Sequence, residues 1–427
     1  MLGRIAQSGP PPFDRRFGPT HVMEVRLGGL SNLAGGAPFS FTRASAAWAF
    51  DSSGVLRQYA SGVPRIVPSP VGVMSVLREP QRTNTVANNS NFAAAVVGSP
   101  GTPPSGWYLS NVPAFGLSWS IVGTGLEDGI PYCDIRCSGT STGASTLNVI
   151  FSGASNAAAV GEVWTASVYL RLMAGSLANL TGALQQVYFS NGGSYVSGVQ
   201  SSWAGVSGAA LKTQRFVATG TAPATTTACA SNFQASFASG VAIDFTVRVG
   251  LPQCEKGEFA TSPIMTTGSA VTRATDSISM AVGRFVPMTM FLDCQLVGQR
   301  TDQAQVLVSW DDATSSRWGI YQEITAGRPF STITTSAGVT QMQTVIGNST
   351  TSARHRVALA FAENDAAAVL DGGSVVTDSA CVAPAAATTV RLGEYMSSFN
   401  QSAFWIHGFR LYPSRLSNAQ LQALTTL

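Results

Sequence analysis

The sequence predicts an all-β protein built from two successive β units, and three observations carry that prediction. A chain of 427 residues exceeds one core at roughly 100–200 residues per domain. Its 43 glycines and 21 prolines break it into short β-branched and aromatic stretches separated by Gly/Ser/Asn clusters, the pattern of a turn-rich β protein. Where a stretch is long enough to show a period, the period is two. In VWTASVYLRL, Trp164, Ala166, Val168, Leu170 and Leu172 share one apolar face, so the strand is expected to bury that face alone.

Residues 1–40 alternate Gly/Pro-rich and short apolar pieces, with prolines at 10–12 that forbid regular structure; the segment reads as an extended arm. Residues 41–84 read as a hairpin, turning at DSSG (51–54), and a connector. From 85 to 280 short strands follow one another, including GWYLSN, STLNVIFSG, QQVYFSNG and AIDFTVRVGLPQ. A second β unit spans 281–427. Within it HRVALAFAENDAAAVLDGG is a strand, a turn at Glu363–Asp365, a return strand and a turn at Asp371-Gly372-Gly373. FWIHGFRLY, apolar on both faces, is an inner strand ended by Pro413. A short helix closes the chain: Ser417 and Gln420 form a capping box, and Leu416 and Leu421 a hydrophobic staple.

The composition narrows function by exclusion. A net charge of +3 gives no strong attraction to nucleic acid or an anionic membrane. No apolar run reaches the ~18 residues that cross a bilayer. MLGRIAQSGPPP lacks the apolar core of a secretory leader, so synthesis in a cytoplasm is expected. Cys133, Cys137, Cys229, Cys254, Cys294 and Cys381 are scattered and form no C-x-x-C pair, so all are expected as buried thiols. Cys133 and Cys137 would lie about 13 Å apart along one strand, beyond disulfide reach.

Charge is concentrated in one place. Only 11% of the chain is charged, against about 25% in an ordinary domain, yet Arg78, Glu79 and Arg82 crowd into REPQRTN (78–84). A local ion-pair cluster fixing the arm against the first β unit is the expected role.

REPQRTN, preceded by FTRASAAWAFDSSGVLRQYA, and VGLPQCEKGEFATSPIMTTGSAVTRATD (249–276) resemble the opening and closing segments of a jelly-roll, carbohydrate-binding-like module of phage head-fiber and tail-fiber proteins. FAENDAAAVLDGG (361–373), VRLGEY (390–395) and GFRLYPSRLSNAQLQAL (408–424) resemble a concanavalin A-like or laminin-G-like sandwich. The resemblance implies a virion structural protein that is not an enzyme, attached to capsid or tail proteins through its N-terminal arm. It further implies a virion-surface location, a homotrimer and adhesion to host-surface glycans. The alternatives are a decoration protein without glycan affinity and a polysaccharide depolymerase.

Candidate sites follow from chemistry. Sugars stack on exposed aromatic rings beside amides and carboxylates, which nominates Trp107, Tyr108, Tyr195 and Trp203 in the first unit and Trp310, Trp318 and Tyr321 in the second. Gly139–Gly143 (GTSTG) matches a nucleophile-elbow pattern but lies in a Ser/Thr loop. Glu363-Asn364-Asp365 and the adjacent Asp311 and Asp312 are poor approximations to a hydrolytic carboxylate pair. No catalytic residue and no cofactor are expected; Asp311, Asp312 and Asp371 are the weak candidates for calcium. His407 and Trp405 are expected to be core.

Overall fold

The computed structural model describes residues 23–25, 39–110, 113–282, 286–325, 329–349, 353–384, 386–396 and 400–427. Most of the expected N-terminal arm, and His21 with it, therefore lies outside the described residues. The described chain is nearly all β, with antiparallel sheets and one α-helix, Asn418–Thr425. No described helix is long and apolar enough to cross a membrane.

Residues 107–256 form a sandwich of two five-stranded sheets. Ile130–Thr140 pairs with Ala242–Lys256, Ser145–Ala157 with Ala228–Phe237, Val163–Ser176 with Arg215–Thr221, and Leu180–Asn191 with Ser194–Ser202. First strand thus pairs with last, second with seventh, third with sixth and fourth with fifth. One long hairpin rolled into two sheets in this way is a jelly roll. Trp107–Leu109 and Leu117–Glu127 add an edge strand to each sheet. Alternate residues of both sheets fill the core, among them Trp119, Phe151, Trp164, Phe189, Trp203, Phe233 and Phe245.

The second sandwich packs an eight-stranded sheet on a seven-stranded one. Met288–Leu296 and Phe404–Tyr412 pair at the centre of the first; Gln305–Asp311, Arg317–Gln322 and Thr389–Leu392 lie in the second. Arg65–Pro68 and Met74–Arg78 extend the eight-stranded sheet, Arg78 standing opposite Phe404. Ser40–Thr42 extends the seven-stranded one. The segment read from sequence as a connector is thus partly C-terminal sandwich, and the jelly roll is inserted into that sandwich rather than placed before it. Arg82–Asn84 and Val271–Arg273, where the chain enters and leaves the insertion, pair with each other as a two-stranded neck.

Local expectations fare unevenly. The DSSG hairpin joins Ala47–Phe50 to Leu56–Tyr59, and the 363–365 turn joins Arg354–Ala362 to Asp365–Leu370. Ser417 and Gln420 complete the capping box, and Leu416 and Leu421 are buried in one small cluster. The six cysteines are free and buried. His407 is buried with Nδ1 2.8 Å from Ser75 Oγ, and burial lowers its pKa to about 4. Val163–Ser176 departs from the one-faced reading, because Thr165, Ser167 and Tyr169 are buried as well. A satellite cluster of Leu56, Ile130, Tyr169, Leu211 and Leu251 covers the second face, while Thr165 donates to Gly257 O and Arg215 to Ser167 Oγ.

Candidate functional site

The charged knot lies in the neck and is structural. Glu79 accepts hydrogen bonds from Arg65 Nη1 at 2.7 Å and from Ser262 N at 2.8 Å, and Arg273 Nη1 lies 2.9 Å from it. Asp276 accepts from Arg65, from Arg43 Nη1 at 3.0 Å and from the Glu79 backbone N–H at 2.9 Å. Arg78 pairs with Glu394 at 3.0 Å and donates to Ser402 O. Its guanidinium packs on Gly393, which has φ +84° and where a Cβ would lie 2.7 Å from Arg78. All these charged side chains are buried. Burial pushes the Glu79 carboxyl up, but Arg273, Arg65 and the Ser262 hydrogen bonds outweigh it and bring the pKa down to about 2. The expected local cluster is therefore present, with a different job: it welds the neck to the C-terminal sandwich.

Of the nominated aromatics, the four tryptophans are core. Trp107 packs edge-on against Phe92 and Phe151, and Trp203 packs on Phe233 while its Nε1 donates to Gln234 O. Trp310 and Trp318 stand opposite each other across neighbouring strands, both pointing inward and fully buried. Strand parity decides this, because Val308 and Ile320 share their face and are also buried. Tyr321 is half-buried on the opposite, outer face, its hydroxyl accepting from Gln343 Nε2 at 3.1 Å. Tyr108 and Tyr195 are exposed, at 55% and 57%.

Tyr108 and Tyr195 flank one surface, the outer face of the five-stranded jelly-roll sheet that begins with Ser194–Ser202 and ends with Trp107–Leu109. Register places Gln200, Gln186, Asn232, Ile150 and Tyr108 in one row across all five strands. Gln234 and Asn148 face each other in the next row, and Tyr188 lies beyond Gln186 on the other side. Gln234 Nε2 donates to Gln186 Oε1 at 2.8 Å and Asn232 Nδ2 to Asn148 Oδ1 at 3.4 Å. Gln186 and Asn232 are themselves buried, at 0% and 1% exposure, and their Nε2 and Oδ1 have no hydrogen-bond partner; Gln200 is exposed, and Gln234 and Asn148 are half-buried. The Tyr195 ring leans on Tyr188, with centroids 5.2 Å apart and planes at 45°. The amides that reach the surface, Gln200, Gln234 and Asn148, bounded by tyrosines at both sheet edges, match a ligand carrying alternating hydroxyls and C–H faces. Sequence reasoning found the two outer tyrosines and missed the amides. SNFQASF alternates Asn232, Gln234 and Ser236 with Phe233, Ala235 and Phe237, a legible signal of a polar outer face.

Near the neck a second feature opens, a cleft of about 620 Å³. Glu162, Glu258 and Asp302 line it with Arg82, Lys256 and Arg300. Lys256 Nζ donates to Glu162 at 2.6 Å and, with Trp164 Nε1 and the Ala159 N–H, holds the Glu162 carboxyl below its usual range. Arg300 does the same for Asp302. The other motifs weighed above are structural. Ser141 of GTSTG is buried between two strands and donates to Ala238 O, with no helix following it. Asp312 accepts the N–H groups of Thr314, Ser315 and Ser316, and Asp311 is buried against Arg391. Among the described residues no group of three or more His, Cys, Asp or Glu side chains is placed to hold a metal ion.

No protein-family model and no curated protein matches the chain. Among solved structures, the chain is similar to the CBM40 of a Ruminococcus gnavus sialidase bound to α2,3-sialyllactose, at 11% identity over 35% of this chain and 96% of that one, with a TM-score of 0.28. A Trypanosoma rangeli sialidase matches at 9% identity over 90% and 76% of the two chains, with a TM-score of 0.29. A GH43 protein from Bacillus licheniformis matches at 10% identity over 68% and 64%, with a TM-score of 0.23. The expectation that the chain is not an enzyme is corrected by this finding, since sialidases and a GH43 protein stand among the similar structures. Likenesses this slight assign no reaction or ligand to this chain. The fold and the site define a β-sandwich protein with a jelly roll inserted into a second sandwich and an amide-and-tyrosine sheet face.

Proposed function

We propose that the protein binds glycans on the outer face of its jelly roll. The observation that carries the reading is the Gln200–Gln186–Asn232–Ile150–Tyr108 row with Tyr188 and Tyr195 beside it. The exposed Tyr108 and Tyr195 supply stacking faces, Gln200, Gln234 and Asn148 read hydroxyls, and the buried Gln186 and Asn232 underpin them. The proposal extends to a setting: a phage virion protein of the head-fiber or tail-fiber type, held by its N-terminal residues on capsid or tail proteins, trimeric, and adhering to host-surface glycans. That setting rests on the resemblance of residues 78–84 and 249–276 to virion modules.

The test is a glycan array carrying bacterial surface polysaccharides, probed with the full chain. Binding to a defined subset is expected, and the double variant Tyr108→Ala/Tyr195→Ala should weaken it about ten-fold or more, each lost stacking contact being worth about 0.5–1.5 kcal/mol. Unchanged binding by a folded double variant contradicts the assignment to this face.

The cleft near the neck favours a second reading, polysaccharide cleavage, because carboxylates and cations share one space large enough for a saccharide. Release of reducing ends from a bound polysaccharide, abolished by Glu162→Gln or Glu258→Gln, is its expected result; an inert wild-type chain on every polysaccharide it binds removes it.

A further inference from the structure

The outer face of the seven-stranded sheet carries a smaller pocket of about 180 Å³, lined among others by Tyr321, Tyr395, Arg317, Gly319, Ile333 and Asn400. Its floor is bare backbone. Gly319 faces outward between two inward residues, and a Cβ there would lie 2.4 Å from Val308 O, so any other residue would both collide and fill the pocket. Ile333 adds an apolar wall. Tyr321 is oriented by the hydrogen bond from Gln343, and the Arg317 guanidinium sits 4.7 Å from the centroid of the Tyr395 ring, a cation–π contact that fixes both groups. Asn400, whose backbone carbonyl accepts from the Val306 N–H, also lines the pocket. The Ser309 hydroxyl, also in the lining, is committed to Asp311 Oδ2 and Glu394 O.

We propose that this pocket binds an N-acetylated hexosamine, as a second saccharide site on the C-terminal sandwich. The inference rests on the glycan reading above. A plain hexose would set hydroxyls against a floor of Gly319 and Ile333 that offers them no partner, at a desolvation cost. An acetamido group matches the pocket chemically: its methyl takes the apolar floor, its carbonyl accepts from Arg317, its N–H donates to the Asn400 side-chain oxygen, and the pyranose face stacks on a tyrosine. Two sites on one chain let a polymeric glycan bind with an effective local concentration that neither site alone provides.

Saturation-transfer-difference NMR on the full chain tests this, with N-acetylglucosamine, N-acetylgalactosamine, glucose and glucuronate as separate probes. The acetamido methyl of at least one N-acetylated probe should carry the largest transfer, with glucose weaker by about ten-fold. Tyr321→Ala should abolish the signal. Asn400→Gly, which suits the φ of +50° at that position, should reduce it several-fold without stressing the fold. Tyr108→Ala/Tyr195→Ala should leave it intact. Transfer that survives both pocket variants and disappears in the jelly-roll variant overturns this pocket while leaving the sheet-face site standing. Binding of glucuronate without either N-acetylated sugar, or no transfer to any probe, overturns it as well.

Discussion

Replacing Glu79 by alanine is expected to destabilise the protein by about 3–5 kcal/mol, the usual consequence of removing one partner from a buried ion-pair network. Arg65 and Arg273 would lose the carboxylate they share while remaining buried, and the Ser262 N–H and hydroxyl would lose their acceptor. Asp276→Ala should act similarly, because it leaves Arg43 without its carboxylate and Arg65 with the carboxylate of Glu79 alone. The network also predicts an acid limit. A carboxyl whose folded pKa of about 2 lies below its ordinary value near 4.5 stabilises the fold fully above the ordinary value and loses that contribution as pH falls toward 2. Chemical denaturation of wild type and Glu79→Gln across this range checks it. The wild type should lose stability steeply below about pH 4.5, and the variant, already weaker at neutral pH, should show a shallower slope. A variant as stable as wild type at neutral pH contradicts the weld.

Trp318→Ala should cost about 3–5 kcal/mol by opening a cavity in the C-terminal core, where the ring is fully buried and packs edge-on against Phe361 at 5.3 Å. It should leave glycan recognition by the folded protein unchanged, since the residue faces away from both proposed surfaces. Thermal unfolding together with array binding separates the two effects. Loss of binding at full stability would mean that the aromatic assignment from strand parity is wrong.

The contrast between Trp318 and Tyr195 shows where sequence reading succeeds. Strand periodicity makes the two sandwiches legible, and Ser417 with Gln420 makes the closing helix legible, because these signals are local. The nominated aromatics needed one further local step. Trp310 lies in register with Val308 in QVLVSWD, which points it inward, and the same parity in SNFQASF turns Asn232 and Gln234 outward. The neck was only half legible. REPQRTN announced an ion-pair cluster, but its partners Asp276 and Glu394 are remote in sequence, and nothing local tells a connector from strands that pair with Phe404–Ile406. An insertion of one sandwich into another is written in pairings between the two ends of the chain, and these leave no periodic trace.

The welded neck and the sheet face divide the work: buried charge joins the two sandwiches, and the jelly roll presents Tyr108, Tyr195 and Gln200 outward, with Gln234 and Asn148 half-buried between them. The most direct test is a crystal structure of the full chain with the oligosaccharide that binds it best on an array. The account predicts sugar density over Gln200, Gln234 and Asn148, with a pyranose face against Tyr108 or Tyr195. Density confined to the cleft beside Glu162, with the sheet face empty, would contradict it and transfer the function to that cleft.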